Sequence, residues 1–334
     1  LLRTAQGRLS EAEAMLLLTR PHWTNIPVRY IRHVLSLRRG LFRLQSLLGH
    51  HEGLHATGVA LLAEMDALMG SGNDMSLGMC AELSRLAVDQ GEFERAADWD
   101  DAAVRRLDAA GIEHPAARLP PLAARLLTQV LANRVPRAQA LQQARQLQQA
   151  LESEPTVSGV RRAETWIALA RVGLLHGDAE LVAPMLKHLR ADGGPMLADN
   201  TALGRRTRQL EAELLRLQGD LPASRQLLSE VAASAAALPD RRITSVWALQ
   251  LDWAVSLVAE GAPGADAALA KAAALRPPQL PPGHPFDAIQ AHLADRLAAG
   301  PSGNAVVAAS AAAVARAYRR APEALPTGLT GLLF

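Results

Sequence analysis

Two groups of residues in this chain of 334 residues are of kinds that do chemistry. The first is His51-Glu52-Gly53-Leu54-His55, with His50 beside it. On a helix, imidazoles at i and i+4 share one face and hold Zn²⁺, with the intervening glutamate as general base. A zinc peptidase of that kind also needs a carboxylate well downstream on a neighbouring helix. Glu64 is only nine residues beyond His55, and Asp66 is no better placed. The segment reads as a solvated histidine cluster at a helix start, with no metal. Zinc at His51 and His55, and with it a metallopeptidase, is the remote alternative.

The second group is the arginines. Of 35 basic residues only Lys187 and Lys271 are lysine, so any anion site here uses planar guanidinium groups that fork onto a carboxylate or phosphate. The basic residues are matched by 33 acidic ones, for a net charge of +2, which gives no general case for nucleic-acid binding. Cys80 is the only cysteine and lies among Leu77, Met79 and Leu83, where a thiol is a small hydrophobe and not a nucleophile. A chain with one cysteine forms no internal disulfide and suits a reducing compartment. There is no glycine-rich phosphate loop followed by lysine, no kinase signature, and no apolar run near the roughly 20 residues that span a bilayer.

The elements that must position these residues are set by a ruler. Gly7, Gly49, Gly91, Asn133, Gly177, Gly219, Gly261 and Gly303 stand 42, 42, 42, 44, 42, 42 and 42 residues apart. A period of about 20 to 50 residues marks a solenoid, in which one supersecondary unit stacks on copies of itself. Hydrophobic residues make up 49% of the chain and aromatics only 3%, so Ala, Leu and Val must pack the core and the units must be helical.

The clearest unit runs through Trp166-Ile167-Ala168-Leu169-Ala170, breaks at Gly177-Asp178, and resumes with Val182, Met185, Leu186 and Leu189. Spacings of three and four put those residues on one face of an amphipathic helix. The glycine supplies the left-handed conformation that ends the first helix, and Asn133, the only other residue type on the ruler, tolerates it. Five residues after the ruler stand Ala12, Leu54, Ala96, Ala138, Val182, Ser224, Asp266 and Ala308, mostly small, as a close helix approach requires. Asp266 breaks the column, and Ala267 suggests a one-residue slip there. His114-Pro115 and His284-Pro285 each fall 23 residues after their glycine and mark links between units. Pro21-His22-Trp23-Thr24-Asn25-Ile26-Pro27 reads as a loop before a basic helix from Arg29 to Arg39.

Gly-Asp/Glu-apolar-x-x-Ala, with Trp or Leu eleven residues earlier and a proline-marked exit, resembles the tetratricopeptide repeat in its longer, kinesin-light-chain-like variety. The resemblance implies an all-α, right-handed superhelix of about seven to eight antiparallel helix pairs. A single array would cover residues 1–320, with a tail at 321–334 ending in Leu332-Leu333-Phe334. In such arrays the first helix of each unit lines the concave surface. Arg43, Arg85 and Arg171 all stand six residues before a ruler glycine, as do Leu127 and Glu213, and Arg39 lies one turn before Arg43. The register therefore predicts a partner-binding groove bearing Arg39, Arg43, Arg85 and Arg171.

The function that follows is a non-enzymatic, cytoplasmic scaffold without cofactor. Its partner is a protein or peptide, in one version with an anionic group, and neither nucleic acid nor membrane. The resemblance further implies the sensory or partner-binding arm of a bacterial signalling or transcription regulator, C-terminal to a kinase or winged-helix domain. The chain opens at Leu1 without Met and mid-unit, as expected of a fragment of a longer protein. A small-molecule-sensing arm and a homo-oligomeric scaffold are the alternatives.

Overall fold

The computed structural model describes residues 8–25, 27–157, 159–198, 201–241, 243–299 and 304–318. They form fifteen α-helices and, among the described residues, no strand. In chain order these are α1 (Leu9–Thr19), α2 (Ile31–Leu48), α3 (Leu54–Met69), α4 (Asp74–Asp89), α5 (Phe93–Ala109), α6 (Pro115–Leu131), α7 (Arg137–Glu152) and α8 (Gly159–Leu175). They continue with α9 (Ala179–Gly193), α10 (Ala202–Leu217), α11 (Leu221–Ala236), α12 (Thr244–Glu260), α13 (Ala265–Leu275), α14 (Pro285–Ala299) and α15 (Asn304–Ala317). The stretch from Pro21 to Pro27, expected as a loop, forms a 3-10 turn over Arg20–Asn25, and a second over Val28–Tyr30 leads into α2. Gly7, Gly303 and the tail from Ala321 lie outside the described residues.

The ruler does what its chemistry requires. Gly49, Gly91, Gly177, Gly219 and Gly261 all have positive φ, and Asn133, at +58°, is the only described non-glycine residue that does. Each ends one helix in the left-handed conformation and lets the next start within a few residues. Asp178 and Asp220, each directly after its glycine, cap the following helix by accepting from Leu181 N and Ala223 N. His-Pro is also a helix start. Pro115 occupies the first turn of α6, and His114 Nδ1 accepts from Ala116 N at 3.2 Å.

Consecutive helices pack on one another, as in a helical repeat, and the first helices of successive units also touch, α2 on α4, α6 on α8, α8 on α10 and α12 on α14. The first helices are therefore the inner layer. In α8 every residue from Thr165 to Leu175 is buried, and α12 is buried over nearly its whole length. The largest core joins both layers from α6 through α14 and reaches Val314 and Tyr318 at the end of α15.

The small-residue column needs two corrections. Ala96, Val182 and Ser224 are fully buried as expected, but Ala138, Asp266 and Ala267 are exposed, and Ala140 and Ala268 take the buried place. Both stand seven residues past the ruler, not five. Arg134-Val135-Pro136 and Ala262-Pro263-Gly264 lengthen these two turns, and each helix starts two residues later for that reason. The extra two residues after Asn133 are the 44 in the ruler.

The two ends of the array meet. Ser10 of α1 gives Asp240, in the connection from α11 to α12, two hydrogen bonds, from N at 3.0 Å and Oγ at 2.6 Å. Ile243 packs with Leu9, Ala12 and Leu44. At the other rim His284 Nε2 donates to Asp89 O at 3.2 Å, and Phe93 stacks on Tyr318 with centroids 5.5 Å apart. A Cβ on Gly91 would lie 2.3 Å from Pro285 Cδ, so glycine serves there both the turn and the close approach of the far end. Residues some 200 positions apart thus share a seam, and the inner face is closed round on itself.

Candidate functional site

The arginine column lies on a longer stripe. On each inner helix the positions 13, 9, 6 and 2 residues before the ruler fall at i, i+4, i+7 and i+11, one helical face. In α4 these are Gly78, Glu82, Arg85 and Asp89; in α8, Glu164, Ala168, Arg171 and Leu175; in α10, Arg206, Leu210, Glu213 and Leu217. Because the inner face is closed, the stripes of different units converge. Arg85 Nη1 binds Glu82 Oε2 at 2.6 Å, and its Nη2 stands 4.0 Å from Glu164 on α8. Arg43 approaches Glu82 from α2 at 3.9 Å. The corresponding positions of α6 are Pro120, Ala124, Leu127 and Leu131, so that helix adds no charge between them.

The result is a mixed cluster of four arginines (Arg43, Arg85, Arg171, Arg206) and three carboxylates (Glu82, Asp89, Glu164). Burial pushes the Asp89 carboxyl up to about 6 against the opposing pull of Arg85 and Arg206. Burial brings Arg171 down to about 9, reinforced by Arg206 and opposed by Asp89. Glu82, the nearest anion, raises Arg85. Arg206 keeps contact with solvent, yet the surrounding walls still lower its pKa by desolvation. Within the cluster opposite charges offset part of the cost of burial: Arg85 and Arg206 favour the Asp89 carboxylate, and Asp89 favours the charged form of Arg171.

Of the four arginines predicted from the sequence, Arg39 lies against α4, its Nη1 2.1 Å from where a Gly78 Cβ would stand. Gly78 leaves the room that this side chain uses. Arg43 is the most open, with half of its side chain exposed. Arg85 is committed to Glu82, and Arg171 is 8% exposed. All four stand on first helices of their units, α2, α4 and α8, at different depths, Arg43 exposed, Arg39 and Arg85 half-buried and Arg171 buried. Sequence reasoning missed Glu82, Asp89, Glu164 and Arg206. Extending the column along the same stripe, one turn either way for Glu82 and Asp89 and two turns back for Glu164 and Arg206, would have found them.

Glu213, in the arginine column of α10, has a different fate. It and Asp252 of α12 are both 0% exposed. Gln209 Nε2 donates to Asp252 Oδ2 at 2.9 Å, and Arg216 Nη2 to Glu213 Oε2 at 2.8 Å. Burial, then the facing Glu213 carboxylate, holds Asp252 well above the ordinary carboxyl range.

The histidine segment does not lie on one helix. Gly53, with φ +65°, caps α3 at Leu54 and leaves His51 in the preceding turn, so the i, i+4 geometry of the zinc pattern is broken. His51 Nε2 donates to Ser46 O at 3.2 Å and helps close the end of α2. His55 packs on Trp99 with centroids 5.8 Å apart. Both rings are partly desolvated, which lowers their pKa, so the cluster is less solvated than expected; only His50 is exposed, 3.3 Å from Glu13. Among the described residues no group of three or more His, Cys, Asp or Glu is placed to hold a metal ion. Cys80 is fully buried, and burial pushes its thiol up to about 11.

No described helix is long and apolar enough to cross a membrane. Comparison of the chain with protein-family models and with curated proteins finds no match to either.

Proposed function

We propose that this chain is a non-enzymatic binding module, a tetratricopeptide-like right-handed array whose partner is a protein or peptide carrying a carboxylate or other anionic group. The observation that carries the reading is the charged cluster, in which Arg43 stands half-exposed at the open edge and 3.9 Å from Glu82. An incoming carboxylate there competes with the chain's own carboxylates for guanidinium groups that are already assembled and partly desolvated. Such charge-assisted, forked hydrogen bonds are stronger than neutral ones. Arg39 and Arg43 make first contact; Arg85 and Arg171 hold the field behind them. By resemblance alone, the module is the sensory or partner-binding arm of a cytoplasmic bacterial regulator.

The test is binding of a defined set of acidic peptides, with amidated and free C-termini, to the wild type and to Arg39→Ala/Arg43→Ala. Both proteins are first matched for thermal stability. The reading expects micromolar binding by the wild type that weakens with salt and falls at least tenfold in the variant. Equal binding by both proteins, or none by the wild type, would contradict it.

A further inference from the structure

Along the seam lies a cavity of about 700 Å³ that is open to solvent on one side, within the range of small-molecule sites. One wall comes from the first units, with Ser10 of α1, Leu48 of α2 and His50 beyond it. The other comes from Ala236, from Pro239, Asp240, Arg241 and Ile243 of the following connection, from Lys271 and Leu275 of α13, and from Gln279. Leu48, Ala236, Ile243 and Leu275 line the same space among these polar groups.

The charges round this space are unequal in their commitments. Asp240 is taken up by Ser10, which donates to both of its carboxylate oxygens. His50 faces Glu13. Arg241 and Lys271 are exposed at the cavity and make no ion pair with any described residue. Lys271 is one of only two lysines in a chain whose other 33 basic residues are arginine. The cavity thus offers two uncommitted cations beside four apolar side chains, and Asp240, the only carboxylate among its described lining residues, is already satisfied.

We propose that this cavity binds a small amphipathic anion, an apolar body with a single carboxylate or phosphate head. The head lies between Arg241 and Lys271, and the body covers Leu48, Ile243 and Leu275. Because the ligand touches both walls, it binds only the closed array and stabilises closure by mass action. Here the ligand would act as a clasp between units that are more than 200 residues apart in sequence. This site is separate from the arginine cluster and does not depend on the peptide-binding reading.

The test uses the full chain with decanoate, decyl phosphate and neutral decanol, each below its micelle or solubility limit, measured by calorimetry and thermal denaturation. The wild type is compared with Arg241→Gln/Lys271→Gln, two exposed positions whose change leaves the core untouched. The proposal expects saturable one-to-one binding of at least one of the two anions with a rise in Tm. It expects decanol to bind at least tenfold more weakly, and the double variant to lose at least tenfold in anion affinity with its ligand-free Tm unchanged. A preference between decanoate and decyl phosphate identifies the head group. Absence of saturable binding by either anion, decanol binding as tightly as the anions, or undiminished binding by the double variant overturns it.

Discussion

Replacing Asp252 by Asn should make the protein more stable, and increasingly so as pH rises. Asp252 and Glu213 face each other fully buried, and Asp252 stays protonated far above its ordinary value of 3.8, first through burial and then through the Glu213 carboxylate. A carboxyl whose folded pKa is raised binds more protons folded than unfolded. Its stability cost is absent below the unfolded pKa and grows as pH rises toward the folded one. Each pH unit in that window costs about 1.4 kcal/mol. Asparagine removes the titration while keeping the essential geometry. Its amide oxygen accepts from Gln209, as Asp252 Oδ2 does at 2.9 Å, and its NH₂ donates to Glu213 in place of the Asp252 proton. The gap between Asp252→Asn and wild type should therefore widen by about 1.4 kcal/mol, on the order of 2 °C in Tm for a chain of this size, for each pH unit between the unfolded pKa and the raised folded one. Urea unfolding followed by circular dichroism at a series of pH values reads the gap directly. A difference that is constant across that range would refute the argument, because a lost contact without a lost titration has no pH dependence.

Three further predictions bear on the seam and core. Gly91→Ala and Gly219→Ala both place alanine at positive φ, +75° and +88°, but only at Gly91 does the new Cβ meet Pro285, at 2.3 Å. Both should lose about 1–2 kcal/mol to backbone strain, and Gly91→Ala alone should also increase the hydrodynamic radius, measured by sedimentation. His114→Ala and His284→Ala remove the same helix cap, worth about 1 kcal/mol. His284→Ala also strips the bond to Asp89 O and packing against Trp247, and should cost at least about 2 kcal/mol more on urea unfolding. Cys80, buried and with its thiol at about 11, should react with a thiol reagent only as fast as the protein opens, so labelling should accelerate with denaturant and hardly with pH between neutral and mildly alkaline.

The local grammar was legible because glycine and asparagine have so few alternatives. Every described ruler residue takes the left-handed conformation, and the helices begin and end where the turn chemistry puts them. The column errors at Ala138 and Ala267 arose where proline-containing turns gained two residues; after Asn133 the gain shows in the 44-residue interval, whereas after Gly261 the interval stays at 42 and hides it. The candidate site was legible as a list of arginines and not as a cluster. Periodicity fixes which face of a helix a residue occupies. It does not fix which distant helix lies opposite, and here that is decided by the path of the chain, which sets α4 beside α8 and brings α1 and α2 against the connection before α12 and against α13. Glu164 meets Arg85 across 79 residues for that reason, and nothing in the local sequence of either announces the other. The zinc-like histidines failed as a helix motif for a local reason that was readable, since Gly53 sits between them and takes a positive φ.

Closure of the array is the claim on which the cluster, the seam cavity and the closed inner face all depend. Cysteines at positions 10 and 240, bridged by a short bis-maleimide, measure it most directly, since the two side chains are in contact, Ser10 Oγ 2.6 Å from Asp240 Oδ1. Treatment of Ser10→Cys/Asp240→Cys with that reagent should give rapid, concentration-independent intramolecular cross-linking, seen as a faster-migrating monomer, while a Ser10→Cys/Ser153→Cys control stays unlinked. An uncross-linked protein, or one linked only between molecules, would mean that the two ends stand apart and the inner face is an open groove.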